Sequence, residues 1–329
     1  MQFLDTLQNL VSGLFTAKDK ASADTFVFAQ LSPVELEAAY RGGGFARKIV
    51  DIPPFDMTRA WRNWQAEGPQ IEAIEAEEKR LDLRRKVKRA MQLARVWGGA
   101  AIIIGYGDAD PSRPAPTNIG KGGIKFLTVV PRRDLSTGEI DRDPMSPFYG
   151  EPTKYVVASQ TGGSVDVHPS RVVRFVGAEY PDTLNAADCW GDSVIQVVAD
   201  ALRNAELGAQ GTAALIHEAK VDVIRVPNMM AEVGSAAYRN LLIQRFTLAN
   251  TLKSFNNTLL LDKDEEWDRK QTSFQQLPEV IQTFLSILAG VSDIPAMRLL
   301  GRSPDGQNST GDSDLRNYYD RLSAEQENE

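Results

Sequence analysis

Five carboxylates packed into seven residues form the densest group of reactive side chains in the sequence. They lie in the string DKDEEWD, as Asp262, Asp264, Glu265, Glu266 and Asp268. Carboxylates that converge on a hard cation can bind calcium, but a calcium loop needs glycine at its sixth position, where this string has Trp267. A solvated turn between two strands is the favoured interpretation, and a metal-dependent enzyme acting on nucleic acid through this cluster remains an alternative.

Other catalytic chemistry finds little support in the residues. Only His168, in the string HPS, matches the His-x-Ser/Thr motif that a two-histidine phosphodiesterase needs twice, because His217 lies in HEA. Cys189 is the single cysteine, with no activating partner in the sequence. The string GYGDAD lacks the third glycine of a dinucleotide-binding fingerprint. We therefore expect a protein that is not an enzyme and that needs no cofactor and no metal.

A glycine-rich loop, LLGRSPDGQNSTGDSD, joins two apolar helical stretches near the end of the sequence. Its glycines, spaced as in a P-loop, are Gly301, Gly306 and Gly311. A P-loop requires Lys and then Ser or Thr directly after its second glycine, to neutralise and coordinate phosphate. Gln307 and Asn308 follow Gly306, and this predicts a flexible polar loop that does not cradle a nucleotide.

Composition and charge set wide limits on function. The 329 residues have 42% hydrophobic and 25% charged content, which is ordinary for globular proteins. A net charge of -7 argues against a protein that coats nucleic acid with its whole surface. Basic side chains are concentrated in KRLDLRRKVKRAMQLAR, where acidic residues just upstream favour a solvated helix face over a phosphate contact. The single cysteine and the lack of a signal peptide predict an intracellular origin without membrane spans.

Helical patterns dominate the first hundred residues. LSPVELEAAYRGGG predicts a helix capped at Ser32, with Glu35 completing a capping box. Pro53 and Pro54 are expected to break any helix that enters FARKIVDIPPFDMTRAW. A single long helix is predicted over 72–96.

Short β-branched runs follow, separated by Gly, Pro, Asp and Ser. They are AAIIIGYG, IKFLTVV, KYVVAS, SVDVHP and RVVRFVG. Such runs are typical of strands and turns, so helices followed by a set of strands predict an α+β fold class.

The second half begins with a long helix capped by Asp192 or Ser193 that is unusually rich in small residues. Gly208 and Gly211 each cost about 1 kcal/mol relative to alanine inside a helix, so we expect another backbone or a neighbouring subunit to approach closely there. A strand (VDVIRVP), a helix over 236–252, a hairpin turning at the acidic cluster, a helix from Pro278 and a last helix from Asp314 are predicted to follow.

Three strings, in this order, resemble the phage portal protein family, in the branch catalogued as a phage-related domain of unknown function. They are YRGGGFARKIVDIPPFDMTRAW, WGDSVIQVVADALRNAE leading to VDVIRVP, and LAGVSDIPAMRLLGRSPDGQNSTGDSDLRNYYDRL. The resemblance covers the chain from about Tyr40 to its end. It implies a ring of about twelve subunits at one capsid vertex, through which DNA is packaged and ejected.

The resemblance also implies how the portal-like subunit is divided. The expected parts are an N-terminal α+β wing over 1–190, a first stem helix over 191–220, a clip over 221–275, a second stem helix over 276–300, a tunnel loop over 301–313, and the start of a tunnel or wing helix over 314–329. The remainder of the wing and a crown would lie beyond the sequence.

Two groups of residues are assigned by position in this resemblance. The tunnel loop facing the DNA channel comprises Arg298, Arg302, Gly306, Gln307, Asn308, Ser309 and Gly311. Packing between stem helices of neighbouring subunits involves Ala205, Gly208, Ala209 and Gly211. A loop that is polar but little charged would let a duplex slide, since tight binding grows with each phosphate neutralised.

The resemblance implies a virion protein of the capsid vertex, assembled in the host cytoplasm. Its expected partners are its own copies, the terminase large subunit, head-completion or adaptor proteins, major capsid and scaffolding proteins, and double-stranded DNA bound without sequence specificity, but no membrane. Two alternatives stay open beside this reading: the nucleic-acid enzyme of the acidic cluster, and a virion adaptor that never closes into a ring.

Overall fold

The computed structural model describes residues 30–108, 110–158, 162–181, 189–218, 220–225, 235–244, 247, 266–271, 276–301 and 311–328. The chain divides into two compact units, Met1–Val197 and Val198–Glu329. Helices and small antiparallel sheets make up both, which confirms the predicted α+β class. No helix in these ranges has the length and apolar character needed to cross a bilayer.

The first unit contains five helices and six strands within its described residues. They are α1 Pro33–Gly42, α2 Gly44–Arg59, α3 Gly68–Leu81, α4 Leu83–Trp97, β1 Gly99–Gly105, β2 Phe126–Pro131, β3 Leu135–Thr137, β4 Tyr155–Ala158, β5 Ser164–Val167, β6 Val172–Val176 and α5 Val194–Val197. All five runs predicted as strands are strands. The helix α1 begins with the predicted capping box between Ser32 and Glu35.

The prediction that the two prolines break a helix is wrong, because α2 runs through both Pro53 and Pro54. Proline has no N–H, so Pro53 cannot donate to the carbonyl of Ile49 four residues earlier. The guanidinium of Arg95 in α4 donates to that carbonyl instead, at 2.9 Å. A side chain from a neighbouring helix thus satisfies the acceptor that the proline leaves open.

The C-terminal end of α2 is satisfied by the same neighbour. Arg84 of α4 donates through Nε to the carbonyl of Thr58 and through Nη2 to that of Arg59, each at 2.7 Å. The last carbonyls of a helix have no intrahelical partner, so these bonds act as a C-cap. Two members of the basic run therefore hold α2 against α4.

The single helix predicted over 72–96 is two helices, since Asp82 adopts a left-handed conformation with φ 54° between α3 and α4. Aspartate tolerates this conformation better than most residues. Residues two apart on a straight helix do not share a face. The break lets both Leu81 and Leu83 pack into one hydrophobic cluster with Ala90 and Ile102.

Two three-stranded antiparallel sheets follow the helices. The first has the order β2-β1-β6, and the second the order β3-β4-β5. Alternation along β1 places Ile102 in the cluster under α4 and Ala101 in a second cluster around Trp190. That second cluster includes residues of β2, β3, β4 and β5, so one core joins the two sheets.

Glycines let the chain fold tightly around Trp190. A Cβ atom on Gly99 would lie 2.3 Å from the Trp190 ring, and one on Gly191 would lie 2.3 Å from the carbonyl oxygen of Ala178. The carbonyl of Gly98 accepts hydrogen bonds from Gly177 and Gly191, both at 3.0 Å. These contacts fix the segment before α5 against the start of β1.

The second unit contains α6 Ala199–Glu218, β7 Lys220–Arg225, β8 Glu266–Gln271, α7 Leu277–Ser292, α8 Ala296–Leu300 and α9 Asp312–Asn328, with helical residues also at 236–244. The helices predicted from Pro278 and Asp314 and the strand VDVIRVP are confirmed. The continuous helix predicted from 191 is wrong, because α5 ends at Val197 and α6 begins at Ala199. The run of β-branched residues at this point lowers helix propensity.

The bond that replaces the missing N–H of Pro53 can be tested by a double-mutant cycle. Arg95→Met should lower the free energy of unfolding by about 1–3 kcal/mol, because the Ile49 carbonyl loses its donor. Pro53→Ala restores an N–H for that carbonyl, so the cost of Arg95→Met should fall in the Pro53→Ala background. Urea denaturation of the four proteins measures the coupling, and Lys86→Met serves as a control on the same helix. Purely additive costs would contradict the assignment.

Candidate assembly helices and channel loop

The helices α6 and α7 pack against each other within the second unit. A Cβ atom on Gly208 would lie 3.0 Å from Cδ2 of Phe284, so the two helices approach closely at this glycine. Ala205, one turn earlier, is also buried. The close approach expected for Gly208 is therefore present within one chain, and its packing between subunits stays a prediction.

Gly211 lies on the outward surface of α6. No atom comes within 4 Å of a Cβ placed on it, and the neighbouring Ala209 is exposed. Leu207, which is 56% exposed, and Leu215 flank Gly211 at intervals of four residues. Residues four apart share a helix face, so these three form an apolar stripe with a shallow centre.

The helix α7 carries a second apolar stripe. Val280, Ile287 and Val291 are exposed, with Ile287 at 50%, whereas Leu288 is fully buried. A helix that is apolar on more than one side normally has a partner on each. The stripes of α6 and α7 together are called the stem surface below. Leu207, Val280, Ile287 and Val291 were missed from the sequence, although their helical spacing could have indicated them.

The predicted channel loop is described at its two ends. Arg298 lies in α8, Gly301 caps that helix with φ 71°, and Gly311 has φ 68° just before α9. Both glycines occupy the left-handed region that side chains disfavour, so each is needed for the turn it makes. Arg302, Gly306, Gln307, Asn308 and Ser309 lie outside the described residues.

The helix α9, which follows the loop, is tied to the turn between α7 and α8. Arg321 of α9 forms an ion pair with Asp293 at 3.1 Å, just after α7, and a second with Glu325 at 3.4 Å. Tyr318 of α9 is buried beside them. A cavity of about 420 Å³ lined by Asp293, Asp314, Tyr318 and Arg321 lies at this point. The loop thus departs from fixed ends.

The acidic cluster is only partly described. Glu266 and Asp268 lie in β8, paired with Arg225 and Val223 of β7, whereas Asp262, Asp264 and Glu265 lie outside the described residues. The strand therefore already includes two residues that were expected in a turn. Among the described residues, no group of three His, Cys, Asp or Glu side chains could hold a metal ion.

His168 has a structural role at a short 3₁₀ turn. Its Nδ1 accepts a hydrogen bond from the N–H of Ser170 at 3.2 Å and thereby caps the turn Pro169–Arg171. The neighbouring Arg171 is buried and forms a bidentate ion pair with Asp108. Hydrogen bonding from Arg171 lowers the pKa of the Asp108 carboxyl. The residues around His168 therefore hold the connection after β1 in place.

Comparison with known proteins gives a family match over most of the chain. A family model described as phage portal protein matches residues 34–329. The chain is 49% identical over 337 aligned residues to a Caulobacter sp. (strain RHG1) protein named anti-CBASS protein Acb1, with 98% of this chain and 54% of that protein covered. A protein of the same name from Sphingomonas paeninsulae is 38% identical over 99% of this chain and 54% of its own length. The chain thus spans about half the length of these relatives.

A solved structure shares the fold. A chain in the neck of an empty GTA particle, computed with C6 symmetry, superposes with a TM-score of 0.56 at 13% identity. The match covers 89% of this chain and 77% of that one. At this identity the likeness supports the fold alone.

The two stem glycines should respond oppositely to substitution. Gly208→Leu should lower the free energy of unfolding by about 1–3 kcal/mol, since the added side chain meets Phe284. Gly211→Ala should raise it by up to about 1 kcal/mol, since alanine is the better helix former and the position is open. Thermal or urea denaturation of the two variants and the parent, at concentrations too low for assembly, measures both effects in the isolated subunit. A loss of stability in Gly211→Ala would contradict the open position.

Proposed function

Because the chain belongs to the phage portal protein family, we propose that it is a subunit of the ring at a capsid vertex through which DNA is packaged and ejected. The family match over residues 34–329 is the observation that carries this proposal. The ring has about twelve subunits and forms the head-tail connector of the virion. Terminase, head-completion proteins, and major capsid and scaffolding proteins dock on it.

The stem surface supports ring formation. Its exposed stripes on α6 and α7 would leave several large apolar side chains in water in a monomer. Burying each such side chain contributes about 1.5–3 kcal/mol. A neighbouring subunit whose stem helix covers Leu207, Gly211 and Leu215 would stabilise the ring by this burial. The missing side chain of Gly211 would let the two helices approach closely.

The loop between α8 and α9 is proposed to face the DNA channel. Glycines at both ends give it sharp turns from fixed helices. Its central residues are polar and mostly uncharged. Such a loop can contact a moving duplex without neutralising the phosphates whose contacts would hold it tightly.

We propose that the chain itself carries no catalytic activity. The imidazole of His168 is engaged in a helix cap, and Glu266 and Asp268 lie in a paired strand. The relatives named for anti-CBASS activity are about twice as long as this chain. That activity is assigned here to the half of those proteins that this chain does not match.

The assembly state of the purified chain tests the proposed ring. Mass photometry followed by electron-microscope class averages should show hollow rings of about twelve copies. A population that stays monomeric or dimeric at micromolar concentration would favour the adaptor that never closes into a ring. Rings would remove that alternative.

A substitution at the open glycine should separate assembly from folding. Gly211→Arg should abolish rings while leaving the free energy of unfolding of the unassembled subunit within about 0.5 kcal/mol of the parent's, because the side chain enters open space. Urea denaturation of both proteins is therefore compared at concentrations too low for assembly. Gly42→Arg is the matched control. Gly42 is also an exposed helical residue, and no atom lies within 4 Å of a Cβ placed on it. Rings of normal size from Gly211→Arg would place the subunit contact elsewhere.

The proposed lack of catalysis can be tested against a relative. The full-length Caulobacter protein and this chain would be expressed at equal levels in an anti-CBASS assay. The relative should be active and this chain inactive. Activity of this chain that is lost when Asp262, Asp264 and Glu266 are replaced by alanine would instead support the enzyme alternative.

A further inference from the structure

A long connection between β3 and β4 forms a rigid protrusion on the first unit. Along it, the N–H of Asp141 donates to the carbonyl of Glu151 at 2.9 Å, and the N–H of Gly150 donates back to Asp141 at 2.8 Å. Ile140 and Pro152 form a β-bridge beside them. This segment, residues 138–153, is called the knob below.

The tip of the knob is apolar and exposed. Met145 is 91% exposed, Phe148 64% and Tyr149 43%. Short polar bonds fix the backbone under them: the N–H of Met145 donates to Asp143 at 3.0 Å, and that of Phe148 donates to Ser146 at 3.2 Å. A preordered apolar tip loses little entropy on binding, which favours a partner.

The base of the knob is anchored to the sheets. Glu151 lies 3.5 Å from the guanidinium of Arg174 in β6. The thiol of Cys189 donates to the carbonyl of Gly150 at 3.1 Å. The base of the knob is therefore held in place by contacts within the same chain.

A cationic aromatic surface lies after the end of α2. The guanidinium of Arg62 stacks between two indole rings, 4.9 Å from the centroid of Trp61 and 5.0 Å from that of Trp64. Glu78 of α3 holds this arrangement by accepting from Trp61 Nε1 at 2.9 Å and pairing with Arg62 at 3.2 Å. The indole N–H of Trp64 has no acceptor within the described part of the chain. This surface, residues 61–64, is called the clamp.

The knob and the clamp lie at opposite ends of α4. Arg84, in its first turn, contacts the end of α2 that leads into the clamp. Its last residue, Trp97, lies 4.7 Å beneath the guanidinium of Arg133, in the turn that leads into β3 and the knob. A helix of this length spans about 22 Å. The base of the knob and the base of the clamp in one copy are thus separated by about the length of α4.

We propose that the knob of one copy docks on the clamp of the next copy, with Met145 and Phe148 against Trp61 and Trp64. The knob carries four acidic residues and one basic residue, whereas the clamp presents Arg62, whose side chain stays half-exposed while its partner Glu78 is mostly buried. Two different surfaces that fit each other generate a head-to-tail contact, which forms a ring when the rotation between neighbours closes on itself. Trp, Arg and Met are enriched where such contacts carry most of the binding energy. This inference rests on the proposed ring.

Cysteine cross-linking between two differently marked chains tests the contact. One chain carries Met145→Cys and the other Asn63→Cys, and Asn63 is exposed between the two indoles of the clamp. After mixing and reassembly, a short bismaleimide should join the two chains into a covalent dimer. Each single variant alone should stay uncross-linked, because like surfaces do not meet in a head-to-tail ring. The buried Cys189 is retained in both chains and in the parent control.

The outcomes separate this contact from the ring itself. Rings without the mixed cross-link overturn the knob-to-clamp contact and leave the proposed function standing. Cross-linking of Met145→Cys with itself also overturns it, since the knobs would then meet each other. A parent protein that forms no rings by mass photometry defeats the proposed function and this inference together.

A substitution pair gives an independent measure. Phe148→Asp should raise the concentration at which half of the chains assemble by at least about tenfold, as expected for loss of an interface anchor. Ile119→Asp is the matched control, because Ile119 is similarly exposed on the same unit but belongs to neither surface. Equal assembly of Phe148→Asp and the parent would overturn the proposal, and a partner other than a second copy would then account for the exposed tip.

Discussion

The first unit depends on hydrogen bonds that side chains of α4 donate to backbone carbonyls of α2. Pro53 removes the donor for the Ile49 carbonyl, and Arg95 of α4 supplies one from the side. Arg84, three turns earlier on α4, closes the end of α2 in the same way. A buried carbonyl without a donor is costly, so these bonds fix the position and the direction of α2 along α4. The helix α4 in turn positions the first sheet, because β1 begins directly after Gly98 and β1, β2 and β6 pack against the helix.

The same arrangement explains why the two exposed surfaces of the unit are so far apart. Both the clamp and the knob are attached close to an end of α4, and the helix acts as a spacer between them. In the second unit a different device is used. There the inward side of α6 has Gly208 for close contact with α7, whereas its outward side has Gly211 between two leucines. Small residues thus lie on both sides of one helix, and only the packing shows which of them face inward.

Local sequence patterns predicted most of the elements, and one error came from a long-range contact. The capping box at Ser32, the five strands and the α+β class could be read from spacing alone. The helix through Pro53 could not, because the compensating donor Arg95 is 42 residues away in the sequence. Leu81 and Leu83 are two residues apart and cannot share one face of a straight helix, which was the overlooked sign of the break at Asp82. Of the candidate site, the small residues of α6 were visible, but which of them face inward follows only from the position of Phe284.

The contacts made by the basic run, residues 79–95, affect how strongly such a chain could bind DNA. Of its arginines, Arg80 and Arg85 pair with neighbouring acidic residues, and Arg84 and Arg95 donate to backbone carbonyls. A guanidinium committed to a buried carbonyl is not available to replace a counterion on a phosphate. Nonspecific affinity for DNA grows with each phosphate neutralised, so arginines that already have partners within the chain would add less to such affinity. Together with the net charge of -7, these contacts agree with the proposed conduit, which would require weak affinity for DNA.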